Sequence, residues 1–314
     1  MKQSHQTTLR AAVTLVGIGV HSGDEVKMIL HPAEANHGIA FLRTGLPGGL
    51  DRLIDARHLA VTATELCTVI GDRESGAVAT IEHLMAALTG LGIDNVLVEI
   101  DGPEVPILDG SSAPFMDAID QVGIVAQSAA RRYLKVLKPV RVTQGKAFAE
   151  LFPNERAFRL DVEIDFPTPV IGRQRKAVDL SPSVFRREIS RARTFGFMRD
   201  VEKLWTAGFA LGASLENTVA IGDDGIMNPE GLRYSDEFVR HKLLDAVGDL
   251  SLAGMPLLGT YRSYCGGHRL NFSVLEALFS NRSNYTIVDA VPRRETGFVD
   301  VSSAAMTAFA PEIH

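Results

Sequence analysis

Several hallmarks of secreted and membrane proteins are missing from this sequence. Among 314 residues there are only two cysteines, Cys67 and Cys265. Two distant cysteines cannot build a disulfide framework and are typical of a reducing cytoplasm. No apolar run reaches the roughly 18 residues that a membrane-spanning helix requires. The first twenty residues also lack the continuous apolar segment of a signal peptide. We therefore expect a cytoplasmic protein without a transmembrane segment.

Nucleotide-binding and nucleic-acid-binding signatures are also scarce. No G-x-G-x-x-G follows the first predicted strand and no G-x-x-x-x-G-K-[ST] occurs anywhere, which argues against Rossmann and P-loop folds. The net charge of -6 argues against binding of nucleic acid mainly through electrostatic attraction. With 46% apolar residues, the chain is long enough for two domains with cores of their own. These features favour an enzyme or binding protein for small molecules.

Each half of the chain runs from strands into a helix, a glycine-containing break and an apolar strand. Apolar residues at i, i+3, i+4 and i+7 predict a helix over Thr80–Leu91, and similar spacing predicts another over roughly Ser235–Leu252. The small polar stretch Gln127–Arg132 separates the halves. We therefore predict an α+β fold with a duplicated unit, divided into domains of residues 1–127 and 128–314.

His241 and Asp245 lie four residues apart on the second predicted helix. Both side chains therefore project from one face, one turn apart, and Asp249 continues that face. Such a pair can share a metal ion. An isolated pair with this spacing is, however, more often an ion pair or a hydrogen-bonded, half-buried histidine, so the spacing alone leaves both interpretations open.

Glu82 and His83 are adjacent on the first predicted helix, where neighbouring side chains point about 100° apart. A histidine ligand and a neighbouring carboxylate can then serve one metal centre in different roles, as in the zincin motif H-E-x-x-H. That motif is absent here, because the order is reversed and Ala87 stands where a second histidine would be. Combined with the His/Asp pair, the set would leave a fourth position for water, as in catalytic zinc sites. His268, after a Gly-Gly turn, is a candidate acid.

The segment Ser190–Phe197 (SRARTFGF) combines arginines, hydroxyl groups and aromatic rings in a short stretch. Two interpretations are equally open. It is either a solvated basic loop with Phe195 and Phe197 in the core, or part of a binding site.

Seven motifs, in this order, closely resemble those of the UDP-3-O-acyl-N-acetylglucosamine deacetylase family. The resemblance extends from about residue 7 to about residue 290. The motifs are GIGVHSG (17–23), ELCT (65–68), TIEHLMAALTGLGIDN (80–95), PILDGSSAPF (106–115), ISRARTFGFMRD (189–200), DEFVRHKLLDAVGDL (236–250) and GGHRLN (266–271).

The resemblance implies two similar α+β domains, with helices sandwiched between two sheets and a metal site between the domains. It implies His83, His241 and Asp245 as ligands of one Zn²⁺ per chain, with Fe²⁺ as the alternative in vivo. The implied reaction is hydrolysis of the N-acetyl group of UDP-3-O-(3-hydroxyacyl)-N-acetylglucosamine, the committed step of lipid A synthesis.

The same resemblance implies roles for residues around the metal. Glu82 is the implied general base, and His268 the general acid or charged stabiliser of the oxyanion. Asp249 is implied to orient His268 without binding the metal itself. The hydroxyl of Thr194 is implied to hydrogen-bond the oxyanion, and Lys242 to lie in the polar part of the site.

An apolar passage for the substrate's fatty acyl chain is implied over Thr194–Ser214, an insert in the second domain. Ala210 is smaller than the cysteine often found at its position in the family, which bears on chain-length preference and not on the reaction. Cys67 is implied to lie near the metal without binding it. The implied lining residues are Phe195, Met198, Val201 and Ala210.

Two other functions remain alternatives. One is a sugar-nucleotide or lipid-binding protein, with a structural metal or none, that would bind its ligand without turnover. In such a protein Glu82 and His268 would have no catalytic role. A metal hydrolase of another N-acyl sugar would share the metal ligands. We expect a monomer, because no oligomerisation motif is visible.

Overall fold

The computed structural model describes residues 4–72 and 74–290. The strands are β1 (His5–Leu9), β2 (Val13–Ile18), β3 (Glu25–Pro32), β4 (Ile39–Leu46), β5 (Leu50–Asp55), β6 (Val61–Ala63), β7 (Val69–Asp72), β8 (Gly76–Val78), β9 (Val96–Ile100), β10 (Ile124–Ala130), β11 (Arg132–Val136), β12 (Val140–Gln144), β13 (Ala147–Phe152), β14 (Phe158–Asp165), β15 (Arg173–Asp179), β16 (Phe195–Phe197), β17 (Val219–Ile221), β18 (Leu257–Tyr264) and β19 (Tyr285–Asp289). The α-helices are α1 (Glu82–Leu91), α2 (Ala113–Val122), α3 (Pro182–Val184), α4 (Val201–Thr206), α5 (Glu237–Leu250) and α6 (His268–Phe279).

The first half of the chain forms a five-stranded sheet in the order β2-β3-β9-β4-β5. Its strands alternate buried and more exposed residues, as a sheet with one covered face requires. In β9, for example, Val96, Val98 and Ile100 are fully buried. This strand lies in the middle of the sheet, antiparallel to β3 and parallel to β4.

The second half forms a seven-stranded sheet around β18. β18 pairs antiparallel with β13 and parallel with β14 and β11. Parallel neighbours require a long crossover connection, and α5 lies within the chain segment that leads to β18. The central strands of the two sheets, β9 and β18, each follow a helix and then a glycine in the left-handed region. These glycines are Gly92 after α1 and Gly254 after α5. The predicted α+β fold is confirmed, and this repeated order agrees with the predicted duplication.

The two sheets and the helices share one apolar core. It includes Val98 of the first sheet, Leu84 of α1, Leu243 of α5 and Leu160 of the second sheet. The predicted domain boundary falls inside β10, which pairs antiparallel with β1. The division at residues 127 and 128 stays a prediction.

The first predicted helix begins two residues later than its apolar spacing indicated. Thr80 has a φ of 55°, in the left-handed region, so it cannot belong to a right-handed helix. Glu82 is therefore in the first turn of α1, where a carboxylate is favoured by the helix dipole.

No α-helix in the described part of the chain is both long enough and apolar enough to cross a membrane.

Candidate metal centre and active site

Three buried side chains meet where α1 packs against α5. The candidate ligand atoms of His83, His241 and Asp245 all lie within 4.8 Å of one another. Asp245 Oδ1 is 3.3 Å from His241 Nε2 and 3.7 Å from His83 Nε2. The two imidazole rings stand nearly perpendicular, with centroids 5.0 Å apart. The structure thus brings together the three residues predicted as metal ligands.

The hydrogen bonding of this cluster fits a cation. Asp245 Oδ1 is buried and has no hydrogen-bond partner among the described residues, a costly arrangement for a carboxylate oxygen unless an ion binds there. The other oxygen, Oδ2, accepts a hydrogen bond from Lys242 Nζ at 2.7 Å. His241 Nδ1 lies 3.1 Å from the carbonyl oxygen of Ala192, the kind of contact that orients metal-binding histidines. Two imidazoles and one carboxylate oxygen are a suitable donor set for a divalent transition metal.

The pKa values of the cluster also favour metal binding. Burial lowers the pKa of His83 to about 4 and that of His241 to about 3, so both rings are neutral at physiological pH. Burial opposes ionisation of Asp245, but His241 and Lys242 outweigh it and hold the pKa of this carboxyl well below its usual range. The ligands are therefore deprotonated before any metal arrives.

A carboxylate and an imidazole lie side by side next to the cluster. Glu82 Oε1 is 3.7 Å from His268 Nε2, and His268 Nδ1 is 2.9 Å from Asp249 Oδ2. Burial raises the pKa of Glu82 to about 8. Burial would lower the pKa of His268, but the carboxylates of Asp249 and Glu82 raise it to about 9. The protonated His268 ring can therefore donate a proton near neutral pH, and Glu82 can accept one in its ionised form, which becomes the major form above about pH 8.

Two residues that the sequence analysis did not assign complete this arrangement. The Thr68 hydroxyl donates to Asp249 Oδ1 at 2.6 Å, and the Asn271 amide donates to Asp249 Oδ2 at 2.8 Å. Asn271 lies three residues after His268 at the start of α6, a helix that the sequence analysis also missed. Spacing within GGHRLN could have revealed Asn271, because residues three apart share a helix face.

The segment Ser190–Phe197 is a solvated basic loop only in part: Arg191 is exposed and Phe195 and Phe197 pack against the core, but Arg193 is buried. Arg193 is 1% exposed, and its guanidinium forms a buried ion pair with Glu237, Nε to Oε1 at 3.0 Å. This pair anchors the segment to the first turn of α5. Thr194 follows directly, with its N–H donating to the Gly110 carbonyl at 2.8 Å. The neighbouring Phe195 ring then lies edge-on to His241, with centroids 6.1 Å apart.

Lys242 connects this segment to the metal cluster. Its ammonium group lies 5.5 Å from the centre of the Phe195 ring, besides its salt bridge to Asp245. Burial would lower the pKa of Lys242, but Asp245 outweighs it and the pKa is raised. Lys242 therefore carries a positive charge beside the cluster.

The insert predicted to form the acyl passage contains β16 and α4. Met198 is 42% exposed, and Val201 begins α4. Ala210 has a φ of 57°, and its N–H points at His21 Nδ1, 3.4 Å away. This contact links the insert to the first half of the chain through a histidine to which the sequence analysis gave no role. The passage itself stays a prediction.

Cys67 is buried beside the site. Burial raises the pKa of its thiol to about 12, so the thiol stays protonated. That Cys67 lies near the metal without binding it stays a prediction.

Another cavity lies elsewhere, between the two halves of the chain. Its volume is about 570 Å³, and its lining includes Ile93, Phe158 and Val247. None of the three candidate ligands, nor Glu82 or His268, lines it. The candidate active site is therefore identified by the chemistry of its side chains and not by this cavity.

Comparisons with known proteins agree with this geometry. Residues 6–280 match the family described as UDP-3-O-acyl N-acetylglycosamine deacetylase. Proteins named UDP-3-O-acyl-N-acetylglucosamine deacetylase from Brucella ovis, Brucella canis and Brucella suis are each 52% identical over 288 residues. Each alignment covers 91% of this chain and 99% of the relative. Because the match spans nearly the whole chain and includes the buried His/His/Asp cluster, this protein belongs to the UDP-3-O-acyl N-acetylglycosamine deacetylase family, whose members are metal-dependent hydrolases.

Proposed function

We propose that the protein hydrolyses the N-acetyl group of UDP-3-O-(3-hydroxyacyl)-N-acetylglucosamine. The products are acetate and the free 2-amino sugar nucleotide, in the committed step of lipid A synthesis. The observation that supports this most strongly is the buried cluster of His83, His241 and Asp245 beside the Glu82/His268 pair, in a chain of this family.

We assign His83, His241 and Asp245 as the ligands of one Zn²⁺ per chain. Fe²⁺ is the alternative, since two imidazoles and a carboxylate bind either ion. When bound, the cation polarises the acetyl carbonyl, lowers the pKa of water and stabilises negative charge on oxygen.

Two proton transfers fall to residues of this chain. Glu82 takes a proton from the attacking water as the water oxygen bonds to the acetyl carbon. His268, held by Asp249, gives a proton to the sugar nitrogen as the C–N bond breaks, so that the amine leaves neutral. The Thr194 hydroxyl and the Lys242 ammonium group stabilise the oxyanion.

We further propose that residues 194–214 hold the fatty acyl chain of the substrate. The Phe195 ring lies edge-on to His241, with centroids 6.1 Å apart, so an acyl chain bound at Phe195 would lie close to the proposed metal ligands. The proposed contacts are Phe195, Met198, Val201, Ala210 and Cys67. We propose that the protein acts as a cytoplasmic monomer on this small-molecule substrate, without nucleic acid.

The decisive experiment measures metal content and deacetylase turnover on the same purified sample, before and after chelation and re-addition of zinc. We expect one metal per chain, with activity lost and restored in step with it. The variant His241→Ala should bind less metal and turn over correspondingly less substrate. Bound metal without turnover would favour a binding protein or a hydrolase of another N-acyl sugar. A metal-free yet active sample would refute the ligand assignment.

A further inference from the structure

Thr68 hydrogen-bonds Glu82, the proposed base, and Asp249, which holds the proposed acid His268. It lies 2% exposed just before β7. Its backbone N–H donates to Glu82 Oε2 at 3.1 Å, and its hydroxyl donates to Asp249 Oδ1 at 2.6 Å. One residue of the first half of the chain therefore binds a carboxylate from each half.

These contacts close a ring of four residues. From Thr68 the ring passes to Glu82, then across 3.7 Å to His268, on to Asp249 at 2.9 Å, and back to the Thr68 hydroxyl. Every member is buried or nearly so, and no flexible surface side chain takes part. In a closed ring, the position of each group limits the positions of the others.

The Thr68 hydroxyl has a specific effect on the Asp249 carboxylate. Asp249 Oδ2 lies within hydrogen-bond distance of the His268 ring and accepts from the Asn271 amide, whereas Oδ1 accepts from the Thr68 hydroxyl. Donors on both oxygens fix the rotation of the carboxylate plane, and the plane sets the direction in which the imidazole ring points. Without the hydroxyl, Oδ1 would be buried and unpaired, and the carboxylate could rotate.

We propose that Thr68 is a positioning residue that holds His268 in register with Glu82 by fixing the Asp249 carboxylate. This inference rests on the proposed function, since it concerns the same proton transfers. Thr68 acts through Asp249 and is not itself a catalytic group.

The test compares Thr68→Val, which removes the hydroxyl at nearly constant shape, with Thr68→Ser, which keeps it. We expect Thr68→Val to lower kcat about 10- to 100-fold, the usual effect of losing such a supporting contact, with KM and metal content unchanged. Thr68→Ser should recover most of that loss. In a His268→Ala background, Thr68→Val should cause no further loss, because the residue through which it acts is gone.

A second measurement does not depend on turnover. Histidine side-chain ¹⁵N–¹H NMR of the zinc-loaded protein should show a His268 imidazole N–H signal, identified by its absence from His268→Ala. Thr68→Val should shift or broaden that signal, and Thr68→Ser should leave it near its original position. If the unmodified protein shows no turnover, the proposed function fails, yet this signal still decides whether Thr68 positions the ring.

Three results would overturn the inference. One is an unchanged kcat and an unchanged His268 signal in Thr68→Val. Another is an equal loss of kcat with and without His268, which would mean that Thr68 acts on the fold in general. The third is a Thr68→Ser variant as slow as Thr68→Val, which would assign the effect to the methyl group.

Discussion

Gly248 on α5 lies directly against the backbone of Glu82 on α1. A Cβ atom at position 248 would come within 2.1 Å of the Glu82 carbonyl oxygen. The two helices therefore meet backbone to backbone at the residue that carries the proposed base. This close approach allows ligands from both helices to reach one point.

We expect Gly248→Ala to force α1 and α5 apart. Overpacking of this kind typically costs about 1–3 kcal/mol, so the melting temperature should fall. Metal affinity should fall as well, because His83 moves relative to Asp245. Thermal unfolding and metal titration measure the two effects. Gly196→Ala is the control, because nothing lies within 4 Å of a Cβ there. A Gly248→Ala variant with unchanged stability and metal affinity would contradict the prediction.

Glu82→Gln should abolish the proposed base without changing its shape. We expect kcat to fall by about 10²- to 10⁴-fold, while metal content stays that of the parent, since Glu82 is not among the three ligands. Steady-state kinetics and metal analysis on one sample test this. Glu99→Gln, on the partly exposed side of β9, is the matched control and should retain activity. Near-normal turnover in Glu82→Gln would require another base.

The alkaline limb of the pH–rate profile should belong to His268. Its pKa is raised to about 9, and only the protonated ring can donate a proton. Activity should therefore fall about tenfold per pH unit above that value, whereas the acid limb belongs to Glu82, whose pKa is raised to about 8 and which must be ionised to act as the base. His268→Gln should be slower and lack the alkaline limb, whereas His31→Gln, on the first sheet, should keep it. An identical alkaline limb in His268→Gln would assign it to another group.

The two cysteines should differ sharply in reactivity. Cys67 is buried, with a thiol pKa raised to about 12, whereas Cys265 is partly accessible. Because the thiolate is the reactive form, a thiol reagent should modify only Cys265 in the native protein and both cysteines after unfolding. Mass spectrometry of the parent, Cys265→Ser and Cys67→Ser would identify the site. Rapid native labelling of Cys67 would show that its surroundings open readily.

Local spacing predicted those parts of the site that lie on a single helix. The i, i+4 relation placed His241 and Asp245 on one face, and the adjacency of Glu82 and His83 was visible in the sequence. That the two pairs meet followed only from the family resemblance, because no local pattern encodes how α1 packs against α5. The hydrogen bond from Thr68 to Asp249 joins residues 181 positions apart, beyond the reach of any periodicity.

The sequence analysis also missed the helix α6 and the backbone conformation of Ala210. The buried residues Leu270, Val274 and Leu278 have helical spacing, but the preceding Gly-Gly pair was interpreted as a turn, so α6 went unnoticed. The left-handed conformation of Ala210 could not be predicted either, because non-glycine residues rarely adopt it. It is imposed by tertiary contacts around the insert, such as the one with His21.

The proposed metal site takes one ligand from α1 and two from α5, helices that lie far apart in the chain. During synthesis, His83 leaves the ribosome long before His241 and Asp245. The nascent chain therefore offers no three-ligand site until α5 has been made. Binding of the metal ion must then follow, or coincide with, the docking of α5 on α1. Since the unfolded chain has no preformed site, a bound ion would stabilise the docked helices, and the order of translation would delay metal binding until α5 has been made.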